Sequence, residues 1–217
     1  MIEIRSRNSR RLLHRVHSDR LAGAWMVGVH LYHADLRGQD LREAHLTDAN
    51  LREATLAGAI LRGADLRRAA LTRADLRCAD LRDADLRGAR LYDAALERAD
   101  MRGADLRQAV LSYARLLQAD LRGADLRGAW LFSTVLARAD LRGADLRHAA
   151  LEETCLTGAL YDLRTRWRFP VPPAELGCIL VRAPNEVTPA ATPAGRGNEG
   201  LPGEVVFPQQ SAARPRP

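Results

Sequence analysis

The residues best equipped for chemistry are acids and arginines. Asp80, Asp100, Asp120 and Asp140 recur every 20 residues, each two positions ahead of an arginine: Arg82, Arg102, Arg122 and Arg142. Arg62 belongs to the same arginine series. Neighbouring carboxylates can exchange protons in acid–base catalysis. Here each carboxylate of the series travels with a guanidinium, and the repetition spreads them along the chain instead of gathering them at one point. They read as exposed ion pairs, not as a reacting pair. Of the six histidines, only His30 and His33 approach a metal-ligand spacing, and they read as surface residues. Cys78, Cys155 and Cys178 show neither metal spacing nor a disulfide framework, which points to a reducing, cytoplasmic setting. No Ser-His-Asp order, phosphate loop or dinucleotide fingerprint is present. The expectation is a chain that is not an enzyme and takes no cofactor or metal.

What positions these residues is a period of five. Every fifth residue from 31 to 156 is Leu in 25 of 26 positions, and Met101 fills the other. The residue two before it is Ala in 22 of the 26, the exceptions being Val29, Gln39, Thr134 and Thr154. In an α-helix a step of five rotates about 140°, so the leucines would spiral around the axis. In a flat strand it flips the side chain to the opposite face. The leucines stay on one side only if the backbone turns a corner in each pentad, and four corners close a coil of 20 residues. Stacked coils pair their backbones at about 4.8 Å, which makes about six to seven coils and a rod about 30 Å long. Leu and the preceding Ala point inward, and the small Ala suits a narrow interior. Gly recurs two residues after Leu, as at Gly63, Gly103 and Gly123, where a tight turn favours positive φ.

Segments such as Ala64-Asp65-Leu66-Arg67-Arg68 and Ala124-Asp125-Leu126-Arg127-Gly128 resemble the pentapeptide-repeat signature, Ala-(Asp/Asn)-Leu-x-x. The resemblance covers about residues 30–161. It implies an all-β fold, the right-handed quadrilateral β-helix of that bacterial family.

The chain has 217 residues, 47% apolar and 5% aromatic, so the core must be built from small and aliphatic side chains. The net charge is +6 and every basic residue is Arg. Residues 1–30 carry +4 and residues 162–217 carry +2, whereas residues 31–161 hold 20 arginines and 20 acids. The N-terminus has no apolar signal core, and the apolar run from Leu21 to Val29 is too short to span a bilayer, so no membrane association is expected. That run reads as the first coil.

The open ends of a solenoid need caps. Residues 1–25 read as an N-terminal β-hairpin cap, from the alternation at Ile2, Glu3, Ile4 and Arg5 and the turn at Arg7-Asn8-Ser9-Arg10. The competing reading is a basic arm for nucleic acid. Residues 26–161 form the solenoid. Residues 162–182 form a C-terminal cap: Tyr161-Asp162-Leu163-Arg164-Thr165-Arg166-Trp167 resembles the closing segment of many family members, and Ile179, Leu180 and Val181 are expected to pack on the rod. Residues 183–217, rich in Pro and Gly, have the composition of a disordered tail.

A step of 20 sorts the outward positions into four faces. Two adjacent faces carry Asp ladders beside Arg ladders. A third carries the exposed aromatics Tyr92, Tyr113, Trp130 and Phe132, the first place to look for an unidentified protein partner or a second copy of the chain. A DNA-mimicking partner of DNA gyrase, as in family members that confer quinolone resistance, is the alternative. It is disfavoured because the rod sums to zero charge, whereas mimicry of a phosphate backbone wants a negative surface. Direct nucleic-acid binding ranks last, since the Asp ladders repel phosphate.

Overall fold

The computed structural model describes residues 1–168 and 173–181, and the expected tail at 183–217 lies outside them. Leu and Ala set the architecture. The Leu-series residues from Leu31 to Leu146, Met101 included, are at most 1% exposed, as are the alanines two positions before them. Met26 and Leu21 continue the series toward the N-terminus, buried at 0% and 4%. The coil positions therefore begin ahead of the boundary read at residue 26.

Consecutive coils are held by parallel bridges at a step of 20, from Trp25–His45 through Asp80–Asp100 and Val110–Trp130 to Asp140–Leu160. These bridges come every fifth residue, four to a coil, and make a β-helix. No α-helix occurs among the described residues. One pentad accounts for its backbone donors as follows. Leu106 donates to Asp125 O at 2.8 Å and Gln108 to Arg127 O at 3.1 Å, both on the next coil. Ala109 closes a turn onto Leu106 O at 3.0 Å, and Val110 donates back to Ala89 O at 2.9 Å. The N–H of Arg107 remains, and it donates to Asp105 Oδ1 at 3.2 Å. Asp before Leu is thus a structural residue: it satisfies the one donor the ladders leave over.

Each turn puts the residue two after Leu in the left-handed region, at every fifth position from Gly23 to Gly158. Most of these positions are not glycine; Tyr113 sits at φ +63°. At Gly123, φ is +66° and an added Cβ would meet nothing within 4 Å, so the backbone alone sets the cost of a side chain there. Gly123→Val is expected to lose about 1–2 kcal/mol. Gly123→Asn should lose markedly less, because Asn tolerates this region. Urea unfolding of the two variants checks the order.

At the N-terminus, β1 (Ile2–Arg5) and β2 (Leu12–Val16) form an antiparallel hairpin. It is anchored on the first two coils, by the Ser6–Ala34 bridge and by Arg7 Nη1 donating to Thr55 Oγ1 at 2.8 Å. Arg5 and Arg15 both pair with Glu3. At the other end the period slips by one residue, since Asp145 bridges Arg166. The slip is accommodated at Asp162 and Thr165, whose Oδ1 and Oγ1 accept the Gly143 N–H at 2.9 and 3.2 Å. β3 (Leu160–Tyr161) then pairs in parallel with β4 (Ile179–Leu180), which follows a 3-10 turn at Pro173–Leu176.

Candidate interaction face

The 20-residue step stacks the outward residues into columns from coil to coil, and two sets of columns are charged. Asp80 accepts from Arg82 Nε at 2.8 Å and from Nη2 at 2.6 Å, a two-point pair within one pentad. Asp100–Arg102, Asp120–Arg122 and Asp140–Arg142 repeat it, with Nη2 to Oδ2 at 2.6 Å in each. The first three of these arginines also approach the acid of the next coil, Arg82–Asp100 and Arg102–Asp120 at 3.6 Å and Arg122–Asp140 at 3.7 Å, whereas Leu160 ends the column above Arg142. Arg62 departs from the pattern because Ile60 stands where its Asp would be, and it turns to Asp83 at 3.6 Å instead. The ladders read as parallel columns in the sequence are thus cross-linked within and between coils. The adjacent face behaves alike. The Arg67 guanidinium beside Asp65 holds its carboxyl down to about 2. Arg82, Arg127 and Arg147 hold Asp80, Asp125 and Asp145 below the usual carboxylate range in the same way.

The face through Leu91, Leu111 and Leu131 is different. Tyr92 meets Tyr113 with ring centroids 5.3 Å apart, and Tyr113 meets Phe132 at 5.6 Å, edge to face. Three coils therefore share one connected row of rings, near the geometry in which aromatic pairs attract. Trp130 stands in a neighbouring column, bridged between Val110 and Ala150 along the backbone. It is 60% exposed, and Tyr92 and Tyr113 are more than two-fifths exposed. Ser112, among these rings, is buried. The charges around the patch are few: Arg90 and Asp93 below it, Glu152 and Glu153 above.

Several features escape sequence reading. The Asp-to-backbone bonds depend on counting donors in a folded pentad. Trp25, 75% exposed on the first coil, packs its ring 4.6 Å from His45 of the next and lies apart from the aromatic row. Thr at an Ala position is also explained: Thr134 and Thr154 donate to Leu111 O and Leu131 O at 2.8 and 2.7 Å, so each hydroxyl is satisfied inside the rod. The Cys178 thiol is pushed up to about 11 by burial against the last coil. No group of three or more His, Cys, Asp or Glu residues is placed to hold a metal ion among the described residues.

Comparison with known proteins follows the period. The family model described as pentapeptide repeats matches in overlapping copies over residues 20–128 and again over 131–160. A search of curated proteins finds no match. Among solved structures, the chain is similar to HetL, a pentapeptide repeat protein involved in heterocyst differentiation regulation from the cyanobacterium Nostoc sp. strain PCC 7120. Identity is 27% over 76% of this chain and 87% of that one, with a TM-score of 0.36. It is similar to QnrB1, a plasmid-mediated fluoroquinolone resistance protein, at 18% identity over 65% of this chain and 74% of that one, with a TM-score of 0.50. A pentapeptide repeat protein from the Arabidopsis thaliana thylakoid lumen gives 31% identity over 55% of this chain and 70% of that one, with a TM-score of 0.38. With the 20-residue bridge ladder and the buried Leu-Ala pairs, the family match over most of the chain decides the matter: this chain belongs to the pentapeptide-repeat family.

Proposed function

We propose that the chain is a non-catalytic interaction module that binds a protein partner through the face of Tyr92, Tyr113, Trp130 and Phe132. The observation that carries this reading is the connected row of rings across three coils, with Tyr92 and Tyr113 exposed and Phe132 half-buried beside them. On the two laddered faces, Asp and Arg answer each other within and between coils, and such exposed pairs contribute about 0–1 kcal/mol each. Desolvating those ladders against a partner would forfeit water at every guanidinium, whereas covering the rings gains apolar burial at about 25 cal/mol per Å².

Around this face we place a right-handed, four-sided rod of six to seven coils, capped by the N-terminal hairpin and by the segment that follows Tyr161. We place it in a reducing, cytoplasmic setting, a reading supported by three cysteines spaced without a disulfide framework.

The test compares affinity capture by the wild-type protein, by Trp130→Glu and by the ladder variant Arg102→Ala. Trp130→Glu is expected to lose at least about nine-tenths of the captured partner, as hot-spot aromatics do. Arg102→Ala should retain it. Equal capture by all three proteins would remove the reading. DNA gyrase stays disfavoured as the partner, because residues 31–161 are balanced at 20 arginines and 20 acids. Supercoiling that is unchanged by the purified protein, with and without a quinolone, is the expected result.

A further inference from the structure

We propose that a second copy of this chain covers the aromatic face, with the two rods antiparallel and a two-fold axis crossing the coil of Val110 and Tyr113. The proposal rests on reading this face as a binding surface, and it names the occupant. The bridge series fixes the order of residues along each column. The column before the leucines runs Ala70, Arg90, Val110, Trp130, Ala150. In the same coil order, the column after them carries Tyr92, Ser112 and Phe132, and the corner column carries Arg73, Tyr113 and Glu153.

A two-fold axis that lies in the interface and runs across the rod keeps each column opposite itself and reverses the coil order. With the axis on the Val110 coil, Arg90 of one copy lies opposite Trp130 of the other, a cation facing an indole. Tyr92 lies opposite Phe132, so the ring rows meet. Arg73 lies opposite Glu153, and Asp93 lies opposite Ser133. Val110 and Tyr113 meet their own counterparts on the axis. Each contact off the axis occurs twice, and no like charges face each other over these five coils.

Other placements of the axis lose this match. Moved half a coil toward the C-terminal end, it sets Asp93 against Glu153. Moved half a coil the other way, it sets Glu53 against Glu153. Moved a full coil to Arg90, it sets Arg90 and Asp93 each against its own counterpart. An axis on the Trp130 coil also avoids like charges, but it sets Tyr113 against Glu153 and opposes no arginine to an acid, so charges and rings together favour the Val110 coil.

Five coils span about 20 Å along the rod at strand spacing. That is a contact at the small end of specific interfaces, so the association should be weak, with a Kd of about 1–100 µM.

Sedimentation velocity on the full chain from about 1 to 500 µM is expected to show a monomer–dimer equilibrium in the range set by that contact. Arg73→Glu and Glu153→Arg should each weaken it about tenfold or more, because each places like charges together twice. An equimolar mixture of these two variants should dimerise again, since an acid of one variant then faces an arginine of the other at both contacts.

Register is read separately. In a background with Cys78 and Cys155 replaced by Ser, Val110→Cys is expected to oxidise to a covalent dimer and Ala150→Cys is not. A monomer throughout the concentration range, or a dimer in which Ala150→Cys cross-links and Val110→Cys does not, overturns the proposal. Were the wild type monomeric while Trp130→Glu still lost its captured partner, the dimer would fall and the binding face would stand. Were capture indifferent to Trp130→Glu while the dimer held, only the reading of a separate partner would fall.

Discussion

Leu106→Ala is expected to lower the unfolding free energy by about 3–4 kcal/mol, and Leu106→Met by less than about 1.5 kcal/mol. Leu106 is fully buried in the middle of the rod. The cost of truncating such a residue depends on how far the surroundings collapse into the space. Collapse is poor here. The inward neighbours Ala104 and Ala109 are too short to reach across, and the backbone is pinned on both sides, by Leu106 donating to Asp125 O at 2.8 Å and by its carbonyl accepting from Ala109 at 3.0 Å. Met is tolerated by comparison because the series already accepts it: Met26 and Met101 are both 0% exposed. Leu156→Ala offers the contrast. It lies near the last coil at 3% exposure, and its loss should be smaller than that of Leu106. Chemical denaturation of the three variants measures all of this. Equal losses at 106 and 156, or a Met variant as damaging as the Ala variant, would contradict a continuous, closely packed core.

The second large effect is acid unfolding. Asp65 has a folded pKa of about 2 against an ordinary value of 3.8, because it accepts from Arg67. A lowered carboxylate pKa stabilises the folded state in full above the unfolded value, and that stabilisation is lost as pH falls toward the folded value. The window therefore lies between about pH 4 and pH 2. After screening by solvent, Asp65 should account for about 1 kcal/mol. Asp75, Asp80, Asp125 and Asp145 are lowered by their own arginines and act in the same direction. Protonation also leaves arginine columns unopposed at about 4.8 Å spacing. Against a domain stability of about 5–15 kcal/mol, the sum is enough to unfold the rod. The thermal midpoint is expected to be level from about pH 8 to 5 and to fall steeply below about pH 4. A midpoint that stays level down to about pH 2.5 would show that the ladders contribute nothing to stability.

The core and the stacking were legible in the sequence because both follow from one arithmetic fact. A step of five that buries Leu at every occurrence from Leu31 to Leu146 admits only a backbone that turns in every pentad. The surface was legible in part. The columns Asp80 to Asp140 and Arg82 to Arg142 follow from the 20-residue step. Their pairing within the pentad does not, because it depends on the free Arg N–H that turns Asp toward its own Arg. Arg62 shows the limit of column reading: a single Ile at position 60 redirects it to Asp83. The 20-residue step puts Tyr92, Tyr113 and Phe132 on one side of the coils, but Tyr113 reaches both neighbours from a corner residue at positive φ, which spacing alone does not reveal. The one-residue slip before Arg166 was hidden because Thr165 and Asp162 absorb it through side-chain bonds.

The most direct test of the binding face is site-specific photo-cross-linking in cell extract. A benzophenone amino acid at position 132, which already holds an aromatic ring, probes the aromatic face, and the same group at positions 102 and 142 probes a charged ladder. Adducts from position 132, with none above background from the other two, are the expected result. Adducts from positions 102 or 142 in the absence of any from 132 would contradict the account.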